Sequence, residues 1–421
     1  MKLPWAWRKP HYAWIMLASA MGIYIIGSGI RLGFGVVIDP LVEQYGWSRS
    51  AISFAYTLQF LAAVPVYLVL GKLGERFSPR QIVITSTIIF AVGVLLLTTI
   101  KEVWQFQLYW GALAGGMGTA ASRTVLPVLL TRWFERRLGM AIGLLWAAVG
   151  LGPAIFSPLM RWAISSLGWR EAFLVIGLAG GAVMLLCSFF IRNDPKEMKL
   201  TRYGMSTSEL PPVDSAHPPN FSMRQLMVMT SFWSLVAIHA FGCVGHSIPL
   251  AHMVSMATFV GLPGIAAAGM LSIATATSII SRFVMSLISE ARGPRFTLTL
   301  ALLLQSLPII ILLSARELHW LYTFAFLFGI GYGGEMVGFP IFNRQYYGLD
   351  APLNTIFAYQ MIGASLGMAT GGWLGGAMFD WTGSHTWSII TAVGIGLLGV
   401  IVAVTLPARV SRRAESQLGY R

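Results

Sequence analysis

The stretch HMVSMATFVGLPGIAAAGMLSIATATSIISR, residues 252–282, decides the fold. His252 closes one long apolar segment, Gly261-Leu262-Pro263 turns the chain, and a second apolar segment carries Arg282 deep in its second half. Both flanking segments reach the length of about 20 residues that a helix needs to cross a bilayer. An arginine in hydrocarbon costs about 2.5–3.5 kcal/mol on insertion scales, so it faces a bundle interior or a watery cavity. Thr275, Ser278 and Ser286 stand seven before, four before and four after Arg282, on one helical face. The stripe reads as a cavity lining. The competing reading is a hydrogen-bonded seam between helices.

Outward from this hairpin, the 421-residue chain is 56% hydrophobic and only 11% charged. Its mean hydropathy is +0.70. Soluble domains carry about 25% charged residues, so the composition is that of an integral membrane protein. The net charge of +13 fits positive cytoplasmic loops better than nucleic-acid binding. Cys187 and Cys243 lie in separate apolar segments and read as small core residues, neither a disulfide nor a metal pair. The start, MKLPWAWRKPHYAW, runs straight into a full-length span and shows no cleavable signal.

Twelve apolar spans are expected, near 12–37, 51–70, 81–99, 104–130, 138–162, 170–191, 226–253, 263–288, 296–314, 318–342, 353–378 and 386–407. About 21 of the 29 Lys and Arg fall on the side of the chain ends, about five on the other side and about three inside spans. That bias places both termini in the cytoplasm. Residues 192–225 are charged, Pro-rich and without apolar period. They read as a cytoplasmic linker with room for a short surface helix. The expected fold is therefore an all-α membrane protein: an N-terminal six-helix half (1–191), the linker, and a C-terminal six-helix half with a short cytoplasmic tail (226–421).

A shift of about 215 residues lays GKLGERFSPR (71–80) on SLISEARGPR (286–295), the turn at Gly46 on that at Gly261, and the turn at Gly168 on that at Gly383. One shift serving all three argues for two parallel halves with a substrate site between them near the midplane.

GKLGERFSPR resembles the loop signature G-x-L-x-D-R-x-G-x-R of the major facilitator superfamily. Gly71, Leu73, Arg76 and Arg80 match; Glu75 replaces the aspartate and Ser78 a glycine. The second copy keeps Glu290, Gly293 and Arg295. The resemblance implies that this loop governs conformational change. An acid at a helix end beside arginines can form a breakable clasp. FGVVIDPLVEQYGWSRSAIS (34–53), WFERRLGMAIG (133–143), Gly-Trp-Arg-Glu-Ala-Phe (168–173), GYGGEMVGFP (331–340) and the run Phe379–Gly383 are similar to the monocarboxylate transporter and oxalate–formate antiporter branch. The resemblance implies alternating-access transport of a small organic anion, often with a proton, and an arginine matching Arg282 that pairs with the substrate carboxylate. Two departures stand out. Ser278 occupies the place of an aspartate in animal members, and the first-span basic residue is Arg31, adjacent to the lysine position near Leu32.

Four charged residues fall well inside spans: Arg31, Arg123, Arg282 and Glu335. Arg31 and Arg123 are candidates for the substrate path, with pairing or snorkelling as the alternatives. Glu335 is the one deep acid. It is a proton-coupling candidate, or it neutralises an arginine, the reading favoured here. Tyr332 and His252 are candidate donors to a carboxylate. His239 and His246 share one face seven residues apart, a spacing that does not make a metal site. No metal, cofactor or nucleotide loop is expected, and no enzyme constellation is visible. Three span arginines against one glutamate suit an anion. The expected function is secondary active transport of a monocarboxylate-like anion across the cytoplasmic (inner) membrane, by proton coupling or exchange for a counter-anion. The expected unit is a monomer in the bilayer. The alternatives are an exporter of amphipathic compounds and a transporter-like membrane sensor.

Overall fold

In the computed structural model, residues 11–33, 35–73, 76–205 and 222–406 are described. Inside hydrocarbon every backbone N–H and C=O needs a partner within the protein, so long apolar runs close into helices. The chain forms α1 (Tyr12–Leu32), α2 (Gly35–Tyr45), α3 (Arg49–Leu73), α4 (Pro79–Leu96), α5 (Val103–Phe106), α6 (Gly118–Trp133), α7 (Leu138–Leu167) and α8 (Trp169–Phe189). After the linker come α9 (Met223–Met227), α10 (Thr230–Phe259), α11 (Gly264–Arg292), α12 (Pro294–Ser306), α13 (Leu318–Tyr347), α14 (Leu353–Thr382) and α15 (Thr386–Thr405).

Ten of the described helices are long and apolar enough to cross a membrane. Two further rods complete twelve: α14, and the continuous run from α5 to α6. Three spans differ in detail from expectation. The first ends at Leu32, not near residue 37, and a separate helix, α2, follows. Residues 107–117 of the fourth are wound as a π-helix, where Gly111, Gly115 and Gly116 press against α3. The ninth passes from α12 into a 3-10 turn at Leu307–Leu313, where Pro308 denies the helix a backbone donor.

Local punctuation repeats between the halves. Ser78 caps α4 in a reciprocal box with Gln81, ahead of Pro79; Gly293 leads into α12 ahead of Pro294. Gly46 and Gly261 hold φ of +68° and +92°, and Gly168 and Gly383 hold +87° and +66°. Each pair lies 215 residues apart, the shift read from sequence. A side chain is disfavoured in such a left-handed turn.

Packing follows the same pattern. α1 lies on α7 as α10 lies on α14; α3 lies on the π-wound segment as α11 lies on α13. The halves meet through α7 on α11 and α3 on α14. Bare glycines allow that approach: a Cβ at Gly71 would stand 3.0 Å from the Tyr359 ring, and one at Gly139 would stand 2.9 Å from the Glu290 side chain. Close by, Glu135 accepts from Arg344 of α13 at 2.5 Å and from Arg202 of the linker at 3.3 Å. The linker is docked there: Tyr203 forms a parallel bridge with Phe134, and its N–H donates to the Trp133 carbonyl at 2.8 Å. Its helical pieces are a 3-10 turn at Pro195–Met198 and α9; residues 206–221 lie outside the described residues.

Candidate functional site

Arg282 sits on α11 where that helix crosses α7, and only 7% of it is exposed. Its guanidinium reaches α7, where Nη1 donates to the Trp146 carbonyl at 3.1 Å, and the bare Gly150 of α7 admits the Ile279 side chain beside it. The same guanidinium lies over the Tyr332 ring, 5.6 Å from its centroid. Tyr332 in turn meets the His246 ring edge-on at 4.9 Å. On the facing half, Arg31 of α1 donates to Gln59 Oε1 at 3.2 Å, and Arg123 of α6 donates to the Tyr67 hydroxyl at 2.6 Å. Arg31 and Arg123 line one cavity with Tyr24, Ser28, Thr119 and Ser122.

All three arginines share one property: the Nε of each is buried without a hydrogen-bond partner. Among the described residues none of the three meets a carboxylate. Buried charge without a counter-charge or full hydrogen bonding is costly. Each of these guanidinium groups thus keeps a donor free for an acceptor oxygen.

Glu335 has a different partner from the arginine favoured on sequence. It lies 3.0 Å from His246 Nδ1, and the other imidazole nitrogen faces Met368 Sδ at 3.2 Å. The reason is register: α13 turns Glu335 toward α10, against Gly242, and Tyr332 occupies the side facing Arg282. Glu335 also brings together a set that one helix alone does not supply. A nitrogen of His239, the Cys243 sulfur and a Glu335 oxygen lie within 4.8 Å of one another, all buried. Both cysteines are free thiols.

The polar stripe of α11 is largely a seam, contrary to the cavity reading. Ser278 and Thr275 bond to carbonyls of their own helix at 2.8 and 2.7 Å, and Ser278 packs against Gly333 of α13. Ser286 bonds to the Arg282 carbonyl at 2.8 Å and abuts Gly143 of α7. His252 also stands apart from the arginines, bonded to the Gly372 carbonyl of α14 at 2.9 Å.

In the loops, Glu75 lies outside the described residues. Arg76 is exposed. The Arg80 guanidinium lies 5.6 Å from the Phe189 ring centroid, and its backbone N–H donates to Asn193. Arg295 donates to the Val404 carbonyl. Gly71 and Glu290 lie at the contacts between halves. Glu135–Arg344 is an ion pair that joins the halves, and the sequence reading missed it. Gln59, Tyr67 and Trp146 were missed as well. Only the polar residues Gln59 and Tyr67, set in an otherwise apolar span, carried a signal in sequence.

Two bundles of membrane-length helices that meet around buried arginines are the architecture of a membrane transporter. The chain belongs to the Major Facilitator Superfamily, whose family model matches residues 13–351. It is 26% identical over 410 residues to monocarboxylate transporter 13 of Bos taurus, covering 94% of this chain and 89% of the relative. It is 24% identical over 421 residues to the MFS-type transporter YcxA of Bacillus subtilis (strain 168), covering 94% and 95%. Among solved structures, the proton:xylose symporter XylE shares the fold with a TM-score of 0.77 at 12% identity, covering 94% of this chain and 96% of that one.

Proposed function

We propose that this transporter carries a small organic anion bearing a carboxylate across the cytoplasmic membrane by alternating access, with both termini in the cytoplasm. The observation that carries the reading is the set of three buried guanidinium groups, each with an orphaned Nε, one of them, Arg282, reaching from α11 to α7 across the contact between the halves. A carboxylate offers two oxygens to the parallel donors of one guanidinium, a match that an ammonium or a neutral sugar hydroxyl lacks. Arg282 is the clamp in this reading, with Tyr332 beside it as a hydroxyl donor. The similarity to a monocarboxylate transporter points to the same substrate chemistry. Alternating access works through the contacts of α7 with α11 and α3 with α14, which separate as the site changes sides.

The test is a thermal-shift screen of the purified full chain in detergent against carboxylates, neutral sugars and hydrophobic cations, followed by uptake into proteoliposomes. A ligand that binds only the folded protein raises its apparent melting temperature. Carboxylates are expected to stabilise the protein and to be taken up. Stabilisation by hydrophobic cations alone selects an exporter of amphipathic compounds. Carboxylate binding without flux selects a sensor.

A further inference from the structure

Between α10 and α13 the C-terminal half holds three groups that the carboxylate clamp does not use. His239 and Cys243 stand four residues apart on α10, so both lie on one helical face. Glu335 comes to them from α13, and the bare Gly242 admits it, since a Cβ there would collide with Oε1. A His239 nitrogen, the Cys243 sulfur and a Glu335 oxygen lie within 4.8 Å of one another, and the three residues are 0%, 3% and 1% exposed, so solvent offers them no partner. His239 Nε2 lies 2.9 Å from Met336 Sδ, a sulfur that only accepts, so Nε2 holds the ring proton and Nδ1 keeps a bare lone pair. His246 Nδ1 engages Glu335 Oε2 at 3.0 Å and leaves Oε1 over. His239 Nδ1 and Glu335 Oε1 are both buried without a hydrogen-bond partner. The free Cys243 thiol has a single proton, enough for one of them, and an acceptor left unsatisfied in the interior is costly.

We infer that His239, Cys243 and Glu335 form a binding site for one divalent cation of the zinc type. Thiolate, imidazole and carboxylate together suit a borderline-soft ion. Charge selects a divalent one: two positive charges against a thiolate and a carboxylate sum to zero, whereas a monovalent copper ion would leave a net negative charge in an apolar bundle. Zinc–ligand bonds of about 2.0–2.3 Å put tetrahedral ligand atoms about 3.3–3.8 Å apart, so the three atoms have to draw in by no more than about 1.5 Å. The metal–sulfur bond forms as the thiol gives its proton to water, so a proton leaves as the ion enters. His246 holds the other carboxylate oxygen, as an outer-shell partner orients a ligand. A bound ion ties α10 to α13 and occupies the free oxygen of the deep acid.

The test uses the full chain, purified without a polyhistidine tag and stripped with a chelator. Zn2+, Co2+, Mg2+ and Ca2+ are titrated by calorimetry, and retained metal is counted after desalting. One Zn2+ per chain is expected, bound more than about tenfold tighter than Mg2+ or Ca2+. Cys187→Ser leaves Cys243 as the single cysteine of the chain. That variant should keep the Zn2+ affinity and show thiolate-to-Co2+ charge-transfer absorption, which assigns the sulfur with the site itself intact. Cys243→Ser should abolish the absorption. Cys243→Ser and His239→Phe should each weaken Zn2+ binding more than about tenfold, since loss of an outer-shell partner alone costs about 10–100-fold. No retained zinc, equal affinity for Mg2+, or retained zinc without thiolate absorption in Cys187→Ser overturns the site. Each of those outcomes leaves the carboxylate clamp at Arg282 untouched.

Discussion

In the N-terminal half Arg123 of α6 donates to Tyr67 of α3, whereas in the C-terminal half Arg282 of α11 lies over Tyr332 of α13. Tyr67 and Arg282 are 215 residues apart, so one position of the repeat carries a tyrosine in one half and an arginine in the other, whereas Arg123 and Tyr332, 209 apart, are not equivalent positions. A second pair behaves the same way. Arg31 and His246 are also 215 residues apart, and each bonds a side chain of its own half: neutral Gln59 for Arg31, the Glu335 carboxylate for His246. The N-terminal half therefore keeps its positive charge open, while the C-terminal half ties its one deep acid to a histidine. An inherited scaffold repeats its turns and packing, and the chemistry is written on it asymmetrically.

The largest expected effect breaks that asymmetry at Arg282. Truncating one partner of a buried charge-assisted contact costs about 2–5 kcal/mol, so Arg282→Ala should weaken carboxylate binding more than about tenfold. Arg282→Lys keeps the charge but loses the planar fork and should recover little of the affinity. Calorimetry on the folded variants decides. Binding of an identified carboxylate as tight as in the parent removes Arg282 from the clamp.

Glu335→Gln tests the closed side of the comparison. The amide still accepts from His246, so the melting temperature should fall by no more than the loss of about 1.5–3 kcal/mol assigned to a charged hydrogen bond. If Glu335 carries the coupled proton, the pH profile of uptake in proteoliposomes should flatten. A steep, unchanged profile in an active variant assigns the proton to a histidine or to the substrate.

Smaller effects sharpen the scaffold side. Gly46→Ala and Gly261→Ala each force a side chain into the left-handed region, at about 1–2 kcal/mol. Their penalties in denaturant or thermal unfolding should agree, since both turns hold positive φ at equivalent positions. A large penalty at one and none at the other would show that the repeat is not one of function-bearing geometry.

The fold was legible because its determinants are local: apolar length and glycine turns. The buried arginines were legible too, because charge is rare in such segments. Partnership was not. Glu335 was read as the neutraliser of an arginine, yet the rotation of α13 points it at His246, and sequence spacing does not encode rotation between helices. For the same reason the Ser278 and Ser286 stripe looked like a cavity wall and lies at a seam. The break of the first span at Leu32 and the π-wound turn at 107–117 follow from tertiary contacts and have no periodic signature.

The smallest stability effect belongs to Glu135, where the halves and the linker meet. Its carboxylate joins Arg344 at 2.5 Å and Arg202 at 3.3 Å, and Arg344 also donates to the Phe134 carbonyl at 2.5 Å. Glu135 is 39% exposed at its side chain, so water screens the pair and its contribution to stability is about 0–1 kcal/mol. The pair nonetheless spans the two halves, and it has to open whenever they separate at this end. Glu135→Gln should therefore leave the melting temperature nearly unchanged and alter the transport rate more than ligand affinity. Arg344→Gln should alter the rate in the same way, with a larger fall in melting temperature because its largely buried side chain also gives up the Phe134 carbonyl, and the double variant should add nothing further to the rate, because either single change already opens the contact. Initial uptake rates and calorimetric affinities for the two singles and the double complete the cycle. Additive rate effects, or a loss of affinity at constant rate, would place Glu135 and Arg344 outside the gate and return control of the conformational change to the loop that contains Glu75.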